Sequence, residues 1–347
     1  MLLDQIPLPL DPRGLHVLLG ALLGLVFGIA AQISRFCLRR AVAGDVAERR
    51  PAAGVWMAAL AASILGAQGL VALGLASFDG HRWLSADLPL LALAGGGLAF
   101  GVGMVLTRGC VSRLSVLAGT GNLRAVTVLL VFAIVAHAML KGVLAPLRTA
   151  ITAPSVPVPL GSLADLPGGA LLWALLLAIP LAGLAARSGA RPLHLALGAV
   201  IGLVAAAGWA GTSVLLQDDF DPLPVQSVAF TLTWAETLFW TIASTAIPAS
   251  FGVGFALAVV GGAFLSAALR GELALQSFDT PAQTLRYAAG AALMGIGGVL
   301  AGGCTVGAGL AGTASLSVAA FVALGAMIAG ALATRVALEG RRAPVAA

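Results

Sequence analysis

Nine stretches of this chain are apolar over about the thickness of a bilayer, and that pattern alone removes most folds from consideration. They cover roughly 15–34, 53–76, 88–107, 125–145, 169–187, 193–210, 248–269, 285–301 and 316–338. In hydrocarbon every backbone N–H and C=O must find its partner within the segment or around a closed barrel. Barrel strands would alternate over ~10 residues, which these runs do not do. The composition agrees: 60% of the 347 residues are hydrophobic and 10% are charged, against about 25% charged in a soluble domain. The 45 glycines suit helices that approach closely in lipid. The expected fold is therefore an all-α polytopic membrane protein with about nine transmembrane helices. Glycines near 101–103, 252–254 and 295–303 could shorten or break some spans, and extra half-helices are expected at 111–121, 236–247 and 305–315.

An odd number of spans puts the termini on opposite sides. With the N-terminus outside, 15 of the 19 lysines and arginines fall on the inner side, and only Arg13, Arg82, Lys141 and Arg148 fall outside. That is the bias a cytoplasmic face carries. Asp218, Asp219, Asp221 and Glu236 form an acidic cluster expected outside. The net charge of +5 thus encodes orientation in a bilayer, and no nucleic-acid partner is expected. The expected orientation has the N-terminus outside and the C-terminus in the cytoplasm. The opening residues MLLDQIPLPLDPRG have neither a basic n-region nor a small-residue cleavage site, so no removable signal peptide is expected.

The chain also repeats itself. Residues 96–110 read GGLAFGVGMVLTRGC and residues 290–304 read GAALMGIGGVLAGGC, with four glycines, a Val-Leu pair and the final cysteine in register. A second match aligns 20–26 with 198–204 at five of seven positions. Both matches shift the chain by five spans, and an odd shift inverts the copy. The expected architecture is a single membrane domain over 1–347, built of two inverted, pseudo-symmetric halves, 14–145 and 169–340. The Pro-rich segment 146–168 joins them. Substrate sites in such folds usually lie at the repeat interface near the midplane, between interrupted helices.

Cys110 and Cys304 occupy equivalent places in the two halves, while Cys37 faces Leu215 in the alignment and breaks the symmetry. Free cysteine also serves as a small buried hydrophobe, and glycine as a packing residue. Duplication of Gly-Cys at a probable helix break favours a role for Cys110, Cys304, Gly109, Gly303 and Thr305 along a path. A neutral thiol is a weak donor with a polarizable sulfur, able to hold a sulfur anion loosely. Arg108 and Arg113 flank Cys110; they could lower its pKa, attract an anion, or snorkel to the inner interface. Three cysteines are an odd number and none lies in a long outer loop, so no disulfide framework is expected. No His/Cys/Asp/Glu spacing suits a metal, no phosphate-binding loop is present, and no catalytic triad is legible, so no cofactor, metal or enzymatic activity is expected.

The run 293–312, LMGIGGVLAGGCTVGAGLAG, resembles the signature of the YeeE/YedE family. Residues 101–110, Arg35-Phe36-Cys37 and Gly208-Trp209-Ala210-Gly211 resemble its other hallmarks, and the match covers nearly the whole chain. The resemblance implies an inner-membrane, hourglass-like thiosulfate uptake protein. It also implies that Cys37, Cys110 and Cys304 pass the anion along by transient S–H···S contacts, and that a TusA-like cytoplasmic sulfurtransferase works beside it. The chain departs from the family's Gly-Gly-Cys-x-x-Gly at Arg108-Gly109-Cys110-Val111-Ser112-Arg113, which bears on the substrate more than on the fold. A membrane sulfur-handling protein that forms a cysteine persulfide is the alternative. On span 4, Lys141 reads as an interfacial anchor and His137 as a histidine bonded to a neighbouring helix. No acid is expected at the centre of a span, which argues against a carboxylate proton relay.

Overall fold

A computed structural model describes residues 11–78, 80–158, 160–217 and 222–340. The opening residues 1–10, Pro159, the acidic residues Asp218, Asp219 and Asp221, and Arg341 and Arg342 lie outside the described residues. The nine expected spans correspond to nine long helices: α1 (Pro12–Ser34), α3 (Val46–Ala72), α4 (Leu90–Leu106), α6 (Leu123–Lys141), α8 (Gly169–Ala186), α9 (Pro192–Ala210), α11 (Phe251–Leu269), α12 (Pro281–Leu300) and α13 (Val318–Gly340). Shorter helices are α2 (Leu38–Ala43), α5 (Val111–Gly119), α7 (Ala145–Thr152) and α10 (Thr231–Ala243). Helix starts follow local chemistry. Asp11 Oδ1 accepts the Gly14 N–H at 2.9 Å ahead of Pro12, and Asn122, Ser250 and Thr280 cap α6, α11 and α12 in the same manner.

Among the described residues, eight helices are long and apolar enough to cross a membrane, counting α1 with α2, α4 with α5, and α9 with the turn that follows it. The ninth, α12, has 20 residues but is not one of the eight; Gln283, Thr284 and Arg286 occupy its first turns. It is nevertheless held in the bundle between α4 and α6.

Glycine sets the helix spacing. Gly20, Gly24 and Gly28, one every four residues, place bare Cα atoms against the carbonyls of Phe251, Phe255 and Val259. Both helices advance together, so α1 and α11 run parallel. Gly198 and Gly202 of α9 meet Val55 and Ala59 of α3 in the same sense, so that pair is parallel too. Helices α4 and α12 cross antiparallel, with Gly96 on Gly297 and Gly103 on Gly290. A side chain at any of these contacts would force backbones apart, which is how small residues drive association in lipid.

The half-helix expected at 111–121 is α5, and that at 305–315 is a wide π-type turn, Gly307–Gly312. The one expected at 236–247 begins five residues earlier, as α10, and lies within the bundle against α6 and α11. Glu236 sits half-buried on α10, where its Oε2 accepts the Ser250 hydroxyl at 3.0 Å. The linker region is ordered by pairing. β2 (Val156–Pro157) pairs antiparallel with β1 (Asp87–Leu88), and the Leu163 N–H donates to the Leu316 carbonyl at 2.9 Å.

Candidate functional site

All three cysteines are set by one backbone device. A long helix ends at a left-handed residue, Arg35 (φ 54°), Arg108 (φ 59°) or Gly302 (φ 73°). Two residues later comes the cysteine, and a short helical segment starts there: Cys37 before α2, Cys110 before α5, Cys304 before the π turn. Holding an arginine in this region costs about 1–2 kcal/mol. At Gly302 only glycine fits for a second reason, since a Cβ would stand 2.9 Å from the Trp83 ring.

Each sulfur faces amides of its own short segment. The Gly307 N–H donates to Cys304 Sγ at 3.4 Å, and the amides of Val306 and Phe230 are also within reach. The Arg40 and Arg113 amides stand in the same three-residue relation to Cys37 and Cys110, at looser geometry. The thiols are free, buried and connected. Cys110 is within hydrogen-bond reach of the Cys37 thiol and the Thr305 hydroxyl, and its Sγ lies 3.2 Å from Ser112 Oγ. Thr305 adjoins Cys304, which is itself in electrostatic range of Cys110. Cys110 follows α4 and Cys304 follows the antiparallel α12, so the two segments re-enter from opposite ends of the bundle and meet inside it. Phe27, Phe36, Phe230 and Phe255 form an aromatic cluster beside them, with Phe27 and Phe230 centroids 5.3 Å apart. That cluster is adjacent in sequence to Cys37 and touches Cys304 through the Phe230 backbone.

The two arginines flanking Cys110 part company. Arg113 interacts with both Cys37 and Cys110, and its Nη1 is buried with no hydrogen-bond partner. Arg35 and Arg40 face it as further positive charges. Arg108 is exposed and is not among the groups that act on Cys110. Gly303 is sterically required, because a Cβ would meet the Ala308 nitrogen at 2.8 Å; at Gly109 the nearest contact is an ordinary 3.4 Å to Leu114. The structure thus brings together Cys37, Cys110, Cys304, Thr305 and Arg113, with Gly303 shaping the turn. His137 lies away from this cluster, its ring tilted 34° over Phe239 at 4.6 Å, an aromatic contact where the sequence predicts an interhelical hydrogen bond.

Sequence reasoning missed Arg40, Gly307 and Phe230, and read Arg35 and Ser112 only as parts of motifs. Arg35 was findable, since it precedes Cys37 by the spacing that separates Arg108 from Cys110. Phe230 was not, because nothing local links it to Cys304. Also missed was a cavity of about 50 Å³ bordered by His81, Arg82, Trp83, Trp209, Gly302 and Gly307. Two larger cavities, about 330 and 370 Å³, share Leu232, Glu236, Pro248 and Ser250; His137 and Lys141 line the first, Arg13 and His16 the second. Among the described residues no group of three or more His, Cys, Asp or Glu side chains could hold a metal ion.

No curated protein matches the chain. A family model described as sulphur transport matches residues 33–333, a span that takes in all three cysteines and every long helix except most of α1 and the end of α13. With that match over most of its length, on a helical membrane fold, this chain belongs to the sulphur transport family.

Proposed function

We propose that the protein carries thiosulfate, or a related inorganic sulfur anion, into the cytoplasm along Cys304, Thr305, Cys110 and Cys37. The observation that carries this reading is Arg113, a guanidinium with a buried, unpartnered Nη1 beside two thiols. A buried donor left unsatisfied costs about 1–3 kcal/mol, more when charged. An anion arriving at Cys110 and Cys37 supplies the missing acceptor. The thiols offer weak donors and polarizable sulfur, so the anion is held without being trapped.

The inverted-repeat reading of halves 14–145 and 169–340 accounts for two features together. Parallel pairs α1–α11 and α3–α9 exchange under it, and α4 and α12 each end in a re-entrant segment bearing a cysteine. Leu215, the counterpart of Cys37, ends the π turn Gly211–Leu215 that continues α9 without a break. On this reading the protein sits in a bacterial inner membrane with its N-terminus periplasmic. Cys304 is reached from outside, and Cys37 and Cys110 open toward the cytoplasm, where a TusA-like sulfurtransferase receives the sulfur.

The test is uptake of labelled thiosulfate by cells lacking their own importers, comparing wild type with Cys37→Ala, Cys110→Ala and Cys304→Ala at matched expression. Loss of uptake in the variants supports the path, and wild-type rates in all three defeat it. Persulfide formation competes because Arg113 stands beside Cys110. In it the thiolate attacks the outer sulfur of thiosulfate, the S–S bond breaks, and sulfite leaves with the electron pair. It predicts sulfur label retained on the purified protein and sulfite released in equal amount, neither of which transport produces.

A further inference from the structure

We infer that the segment from Arg35 to Gly44, which carries Cys37, is an inner gate latched by two carboxylates, Glu48 and Glu339. The inference rests on the uptake reading and names the element that closes the inner end of its path. Cys37 is only 2% exposed. Anything that meets its sulfur from the inner side therefore requires the covering segment to move.

That segment is tied down at three of its own carbonyls. It runs from the left-handed turn at Arg35 through Phe36 and Cys37 into the six-residue α2, and ends at Gly44. Arg40 Nη1 donates to the Arg35 carbonyl at 3.0 Å, and Arg335 Nη1 donates to the Val42 carbonyl at 2.8 Å. Arg49 Nε donates to the Gly44 carbonyl at 2.6 Å. The three guanidiniums come from α2 itself, from α13 and from α3. Two carboxylates aim them. Glu48, in the first turn of α3, takes Arg40 at 3.2 Å. Glu339, near the end of α13, takes Arg49 at 3.1 Å and stands 3.8 Å from Arg335. Arg40 acts on Cys37 directly as well, because its amide faces the sulfur.

The chemistry of these ties suits a latch better than a wall. A six-residue helix has no stability of its own and stays where its contacts put it. Only Phe36, Cys37, Leu38, Ala43 and Gly44 of the segment are buried. The paired side chains are 22–57% exposed. Exposed ion pairs are individually weak and are screened by salt. A few of them together hold the segment shut and still let it open. Like charges supply an opposing push, since Arg35 and Arg40 both face Arg113. Glu48 offsets that push by neutralising Arg40. Opening would carry Cys37 away from Cys110 and into inner water, at the step where an anion leaves the thiols.

The experiment reads Cys37 alone, in full-length protein carrying Cys110→Ala and Cys304→Ala. The reagent is an uncharged polyethylene glycol maleimide, which neither crosses the bilayer nor is steered by the arginines. Alkylation at fixed pH is followed in purified protein and in vesicles of both orientations, and its rate tracks the open population. Glu48→Gln should raise the rate up to about fivefold, and Glu48→Gln with Glu339→Gln about tenfold or more. Glu48→Asp, which keeps the charge, should fall between parent and Glu48→Gln. Raising salt from about 0.05 to about 1 M should speed the parent and leave the double variant unchanged. A folded double variant alkylated at the parent rate overturns the gate, and so does acceleration seen only from the outer side. If the double variant fails to fold, a parent rate that ignores salt overturns it. If Cys37 responds as expected but the three-cysteine protein imports no thiosulfate, the uptake reading fails and the latch over Cys37 stands.

Discussion

Replacing Arg113 with methionine separates a transport role from a structural one, because the two predict opposite changes in stability. The methionine keeps most of the apolar stem and removes the guanidinium. In the resting protein that guanidinium carries a buried Nη1 without a partner, and Arg35 and Arg40 add like-charge repulsion. Removing it should stabilise the empty protein by about 1–3 kcal/mol, the cost of one unsatisfied buried donor. Removing it should also weaken the anion's hold at Cys110 and Cys37 by about 1.5–3 kcal/mol, the value of a hydrogen bond to a charged group. That is roughly a 10- to 150-fold loss in affinity. The assay is thermal unfolding of purified protein with and without thiosulfate, beside initial uptake rates. Thiosulfate at a hundred times the wild-type Kd should stabilise wild type by about 2.7 kcal/mol, and Arg113→Met should melt higher when empty yet gain only about 0.3–1.4 kcal/mol from the same concentration. A variant that melts lower, keeps its thiosulfate shift and imports at the wild-type rate would refute the reasoning, since Arg113 would then be a structural cation.

Cys110→Ser keeps a hydroxyl for the Ser112 and Thr305 contacts, so the variant should fold normally and lose uptake at least tenfold, read by labelled thiosulfate entry. Gly24→Val should lower stability in detergent by about 1–3 kcal/mol by forcing α1 from α11, where a Cβ would meet the Phe255 carbonyl and stand 3.0 Å from Ala258. Gly69→Ala, with nothing within 4 Å of the added Cβ, should leave the melting temperature unchanged or slightly raised. Glu236→Gln retains an acceptor for Ser250 and removes a negative charge from the wall of two cavities, so the apparent KM for an anion should fall. His81 titrates at about 4 in the fold against an ordinary 6.5. The unfolded chain therefore binds the extra proton first, and this group's contribution to stability, full above pH 6.5, should fade between pH 6.5 and 4 in a melting series.

The helices were legible because bilayer thickness fixes their length and glycine spacing fixes their faces; Gly20, Gly24 and Gly28 announce a close partner before α11 is known. The segments after Cys110 and Cys304 were legible through the repeated Gly-Cys. What could not be read was where the charges end up. Arg108 and Arg113 flank Cys110 alike in sequence, but the left-handed turn at Arg108 sends one outward, while the first turn of α5 carries the other beside the thiols. The start of α10 at Thr231, five residues ahead of the expected half-helix, was hidden as well, because nothing local marks it.

On the uptake reading, one electrostatic constraint favours thiols over a row of cations along the path. Two unit charges 4 Å apart interact by about 4 kcal/mol at an effective dielectric of 20. A dianion beside one guanidinium in mid-path would gain about twice that, and each 1.4 kcal/mol slows escape about tenfold. A row of arginines would therefore bind the anion and keep it. Arg113 stands beside Cys110 and Cys37, and the stretch at Cys304 is left to sulfur and backbone amides. Under that arrangement an arginine introduced at Thr305 should bind thiosulfate more tightly than wild type and import it more slowly; faster import would show that affinity, not release, limits the path.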